Sequence, residues 1–149
     1  MAGSAASLRR VPAGRTTAST AIDALYALGA VMLAVEAAVH VQQFAAIFHA
    51  VRWIGPLFLA NAAASVLAAA GLVHERTRAV AALAGIVISV SALGGLVLSY
   101  GPGLFGWMEG GWRTAIALAL ISELGAVLAL AAGLAGAALR AQGLRPQSA

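Results

Sequence analysis

The chain has no cysteine and no lysine, and only 9% of its 149 residues are charged. The first absence removes disulfide frameworks, thiolate metal sites, CxxC redox chemistry and thiol nucleophiles together, so any chemistry must use oxygen and imidazole. The second leaves the formal charge of +4 and the pI of 11.2 resting on nine arginines. These are scattered, at Arg9, Arg10, Arg15, Arg52, Arg76, Arg78, Arg113, Arg140 and Arg145. They form no basic stripe with interleaved aromatics, so nucleic acid is not expected as a partner. Walker, Rossmann and zincin motifs are also missing. Arginine without lysine, beside so much alanine, is the composition of a high-GC bacterial genome.

What the chain does have is apolar length. Hydrophobic residues make up 62% of it, against roughly 45 to 50% in soluble domains. Whole helical turns pass without a charge, so no helix could present water with a charged outer face. Lipid is the solvent that fits, and the bilayer is the expected partner. Four spans are predicted, over about 22–47, 53–73, 79–100 and 113–139, giving an all-α, polytopic transmembrane four-helix antiparallel bundle. Residues 1–20 read as a flexible cytoplasmic tail and 140–149 as a second one. Arg9 and Arg10 lack the apolar run that a twin-arginine signal needs directly after them. The run after Ala21 exceeds the roughly 7 to 15 residues of a cleavable signal peptide, so a retained first helix is expected. Asp23 falls in the first turn of that helix, and Pro56 in the first turn of the second, where a missing N–H costs nothing.

With the N-terminus inside, seven arginines lie on the inner side and Arg52 and Arg113 on the outer. That bias places both termini in the cytoplasm of a bacterial inner-membrane protein. The connection GPGLFGWMEGGW then faces outward, its aromatics suited to the headgroup layer. Small residues recur four apart as Ala60, Ala64 and Ala68, as Ala81, Gly85 and Ser89, and as Gly125, Ala129, Gly133 and Ala137. Such ladders let helices approach closely in lipid, which implies a tight bundle without a wide aqueous pore. The last ladder suits a second copy or another membrane protein equally well.

The informative residues are polar ones at depth, because an ionisable side chain in the bilayer costs roughly 2.5 to 3.5 kcal/mol. Glu36, His40 and Gln43 fall within ~60° of arc on the first span. By helical rise Glu36 lies about 21 Å and His40 about 27 Å from the inner start of that span, while Asn61 and Glu123 lie about 12 and 15 Å from the outer ends of theirs. All can meet in the outer half of the bundle, with Glu109 at the rim. Three readings follow. The cluster could bind a small ligand, proton or cation, with Glu36 and Glu123 as acceptors, His40 as a switchable partner and Gln43 and Asn61 as orienting amides. Glu36, His40 and Glu123 could ligate a metal. Or the cluster could serve only as interhelical glue in a structural or accessory subunit. A metal- or quinone-binding oxidoreductase subunit is a further alternative. No two histidines share a depth and a face, which disfavours bis-histidine haem, and no cofactor is otherwise expected. Ser89, Ser91 and Ser99 are expected to bond back to helix carbonyls.

Taken together, His40, the run Phe58 to Asn61, the stretch YGPGLFG from Tyr100 to Gly106, Glu109, and the pair Ser122 and Glu123 resemble a group of small four-helix integral membrane proteins from high-GC bacteria. The resemblance covers about three quarters of the chain. It implies topology and no activity.

Overall fold

The computed structural model describes residues 17–143. It contains four α-helices, α1 (Thr17–Ala46), α2 (Ile54–Gly71), α3 (Glu75–Tyr100) and α4 (Thr114–Gly143). A single 3₁₀ turn, Phe48–Ala50, joins α1 to α2. All four helices are long and apolar enough to cross a membrane. The chain is therefore an all-α bundle of four candidate spans. Arg9, Arg10, Arg15 and Arg145 lie outside the described residues, but both expected tails begin too near the bundle: residues 17–20 and 140–143 are helical. The earlier start of α1 moves Asp23 out of the first turn. Its carboxylate pairs instead with Arg78 across the bundle at 2.8 Å, and the Arg78 guanidinium also stacks over Tyr26 at 5.2 Å and donates to the Leu72 carbonyl. One arginine thus ties α1 to the turn between α2 and α3.

The outward faces are as apolar as the interior. Leu67, Val80, Val87, Val97, Ile121 and Leu128 are all more than 60% exposed. That arrangement would be untenable in water and is what hydrocarbon requires. Inside, α1 packs on α2 and α4, α3 packs on the same two, and α2 and α4 occupy opposite corners. The core cluster is Tyr26, Leu33, Ala68, Leu72, Ala81, Ala82, Ala126 and Leu130.

Closeness comes from glycine at defined points. Leu130, fully buried, fills the space left by Gly29 on α1 and Gly85 on α3, so that a Cβ at Gly85 would lie 2.8 Å from it and 2.9 Å from Leu33. Gly125 accommodates Met32, and Gly133 the ring of Tyr26. The ladders on α3 and α4 therefore face the core. The one on α2 faces the core only in part: Ala60 is exposed, Ala64 half-buried and Ala68 buried, with Ala62 and Ser65 buried beside it.

The core cluster lies toward the end carrying the α2–α3 turn, and the polar residues lie toward the other. There, a cavity of about 410 Å³ with an almost wholly apolar lining opens among all four helices. The long connection before α4 closes its top. Leu104 and Trp107 exchange two backbone hydrogen bonds of 2.8 and 2.9 Å around Phe105 and Gly106, both at positive φ. Two successive positive φ values match a type I′ turn, which glycine accepts and phenylalanine resists. The turn directs Trp107 inward, onto Phe48 at 5.2 Å. Phe105 and Trp112 remain about two-thirds exposed, as headgroup-layer aromatics would.

Candidate functional site

Helix spacing brings the ionisable residues to one level. Glu36 lies about 15 Å from the loop end of α1, Glu123 about 14 Å from the start of α4, and Ser89 about 17 Å from the end of α3. Glu36, His40 and Glu123 are 0, 7 and 2% exposed. One potential ligand atom from each lies within 4.8 Å of the others. His40 is oriented by its own helix: Nδ1 donates to the Glu36 carbonyl at 2.9 Å, which leaves Nε2 as the acceptor nitrogen, 4.0 Å from Glu123 Oε1. Ser89 Oγ donates to Glu36 Oε2 at 2.7 Å. Glu36 Oε1 and Glu123 Oε2 have no hydrogen-bond partner among the described residues.

Ser89 departs from the expectation that it would bond to its own helix. Ser91 and Ser99 do so, to the Val87 and Leu96 carbonyls. Ser89 instead faces the core in the same ladder as Ala81 and Gly85, and reaches across to α1.

The other expected members stand apart from these three. Gln43 Oε1 accepts from Arg113 at 2.7 Å, and Arg113 also pairs with Glu109 at 2.6 Å. This layer sits nearer the loop end and ties α1 to the connection before α4. Asn61 faces the cavity from α2, where its Oδ1 accepts from Ser65 at 3.3 Å. His49 and His74 are exposed and lie outside the cluster of Glu36, His40 and Glu123.

Aromatic rings form one wall of the cavity. His40 and Phe58 stack at 4.9 Å, Phe58 and Phe48 at 4.4 Å, and Phe48 meets Trp107 edge-on. The Trp107 indole N–H is buried and has no partner among the described residues. His40, Gln43, Glu109, Arg113 and Glu123 also line the space, beside a lining that is otherwise almost wholly apolar. Four lining residues, Leu57, Ala60, Val87 and Ser91, are exposed on the outside of the bundle, and all four belong to α2 and α3. The mouth therefore opens sideways between these helices.

Arg113, Ser89 and Trp107 are the site residues that sequence reasoning did not single out. The i,i+4 spacing of Glu109 and Arg113 was a usable signal, as was the ladder containing Ser89. No local signal marked Trp107, whose direction depends on a turn with phenylalanine at positive φ. No protein-family model, no curated protein and no solved structure matches this chain.

Proposed function

We propose that the chain is a multi-pass protein of the bacterial cytoplasmic membrane, with both termini in the cytoplasm, that binds a small, flat, largely apolar molecule carrying a hydrogen-bond acceptor. The ligand reaches the cavity from the lipid, between α2 and α3. The unpartnered Trp107 N–H, set in an aromatic wall beside a lipid-facing mouth, is the observation that carries this reading. The volume falls within the roughly 300 to 1,000 Å³ of small-molecule sites. Aromatic rings favour a planar partner through stacking. A buried donor left without an acceptor costs about 1–3 kcal/mol, a cost that a ligand carbonyl would relieve. Glu109, Gln43 and Arg113 form a polar lid above, and no reaction is assigned.

Menadione, a planar apolar diketone, is a suitable probe. Calorimetric titration into detergent-purified protein should give saturable binding. Ala64→Phe, which puts a ring into the cavity and replaces none of its polar groups, should abolish it, and Trp107→Phe should weaken it about fivefold by removing one hydrogen bond. Uptake that never saturates, and is equal in all three proteins, would reduce the cavity to a packing defect in a structural subunit.

The orientation rests on the seven-to-two arginine bias and is tested separately. The natural chain lacks cysteine, so Met108→Cys, at a position 64% exposed in the long connection, introduces a single thiol. It should react with a membrane-impermeant maleimide in intact cells with their outer barrier permeabilised. Labelling only after lysis of the inner membrane would reverse the assigned topology.

A further inference from the structure

We infer that Glu36, His40 and Glu123 form a binding site for one divalent first-row transition-metal ion, with its open coordination position facing the cavity. Three arguments converge on this. The first is geometric. Three atoms all within 4.8 Å of one another share a point no more than about 2.8 Å from any of them, and zinc bonds to imidazole and carboxylate are roughly 2.0 to 2.2 Å. Side-chain rotations that move each ligand atom by at most about 0.6 to 0.8 Å close that gap, because all three groups already share one level on α1 and α4.

The second argument is the surrounding hydrogen bonding. Metal-binding histidines donate their second ring N–H to a carbonyl or carboxylate, which fixes the tautomer, and ligating carboxylates accept from a neighbour on their remaining oxygen. Both features are present. His40 Nδ1 is committed to the Glu36 carbonyl, and Glu36 Oε2 to the Ser89 hydroxyl. What is left over is one lone pair on His40 Nε2 and the unpartnered oxygens Glu36 Oε1 and Glu123 Oε2. Hydrogen bonds occupy the atoms a metal would not need and spare the ones it would.

The third argument is charge. Two carboxylates and a neutral imidazole around a dication sum to zero, which is the least costly state for such a group at bilayer depth. The donor set of two oxygens and one nitrogen, with no sulfur, suits zinc, manganese, iron, nickel or copper in the divalent state rather than a soft monovalent ion. His40 and Glu123 line the cavity whereas Glu36 does not. The fourth position therefore points toward the cavity, where water or a ligand atom could complete the shell, as in metal sites that keep an open position.

The test uses the full chain, purified in detergent with its affinity tag removed, stripped with chelator and titrated with Zn²⁺ and, separately, Co²⁺. One equivalent of Zn²⁺ should bind, and Co²⁺ should develop the intense visible bands of four- or five-coordination. The isosteric pair Glu36→Gln/Glu123→Gln should lose at least about 100-fold in affinity while keeping its helical circular dichroism. Ser89→Ala, which alters only a positioning residue, should lose about 10- to 100-fold. His49→Ala/His74→Ala should bind as the natural chain does. Ala64→Phe should retain metal binding even though it excludes menadione, so a failure of the cavity reading and a failure of the metal site are told apart. Binding that follows His49 and His74, or a Co²⁺ spectrum no different from the hexaaqua ion, would overturn the assignment.

Discussion

Glu123→Met is expected to stabilise the metal-free bundle by about 1–3 kcal/mol, the cost of a buried polar group left without a hydrogen-bond partner. Glu123 is 2% exposed, its Oε2 has no partner, and its Oε1 stands 4.0 Å from His40 Nε2, beyond hydrogen-bonding distance. The substitution thus removes no hydrogen bond and eliminates the desolvation of a carboxyl group. Its neighbours need not rearrange, since methionine is close in volume and flexible enough to fill an irregular gap. The measurement is reversible unfolding in mixed detergent micelles with chelator present, natural chain against variant. Stabilisation coupled with loss of metal binding is the signature of a residue kept for function at the expense of the fold. A loss of 1 kcal/mol or more would instead make Glu123 interhelical glue and would remove the reason for placing a site there.

Gly85→Val should overpack the core and cost about 3 kcal/mol, the upper part of the range for such changes. The new Cβ would lie 2.8 Å from Leu130 Cδ1 and 2.9 Å from Leu33 Cδ1, and both leucines are fully buried. The side chains it meets are flexible at their tips but have nowhere to go. Valine adds two further methyl groups to the same space. Leu130→Ala alone should cost about 2–5 kcal/mol through the cavity it leaves. The double variant should be less unstable than the sum of the two, because the valine occupies part of what the leucine vacates. Strict additivity in the same unfolding assay would show that Gly85 and Leu130 do not share a space, against the geometry described.

Both results depend on how far each residue's surroundings can be read from its neighbours in sequence. Glu36 and His40 could be, because four residues on a helix return to one face whatever the fold. Their common level with Glu123 was also legible, since helical rise converts position along a span into depth. Rotation about each helix axis was not. In lipid both faces of a span are apolar, so the pattern that would orient a soluble helix is weak. This is why the ladder of Ala60, Ala64 and Ala68 on α2 is buried only at Ala68, while Ala62 and Ser65 take the other core positions. It is also why Ser89 was expected to bond to its own helix. The cavity left no local trace either, since it is the space left where α2 and α4 stand apart at opposite corners.

Sequence alone determined the four helices, their apolar exteriors, the absence of thiol chemistry, and the near-common depth of Glu36, His40 and Glu123. These are properties of composition and of a repeat with fixed pitch, so they survive any arrangement of the helices. The tertiary structure decided which of the polar residues meet. It gathered Glu36, His40 and Glu123, set Gln43 and Glu109 together on Arg113 in a separate layer, left Asn61 across the cavity, and turned Trp107 inward. Each outcome depends on the relative rotation of helices packed through glycine contacts or on the turn at Phe105 and Gly106, and close contacts between distant segments are energies that no single stretch of chain contains.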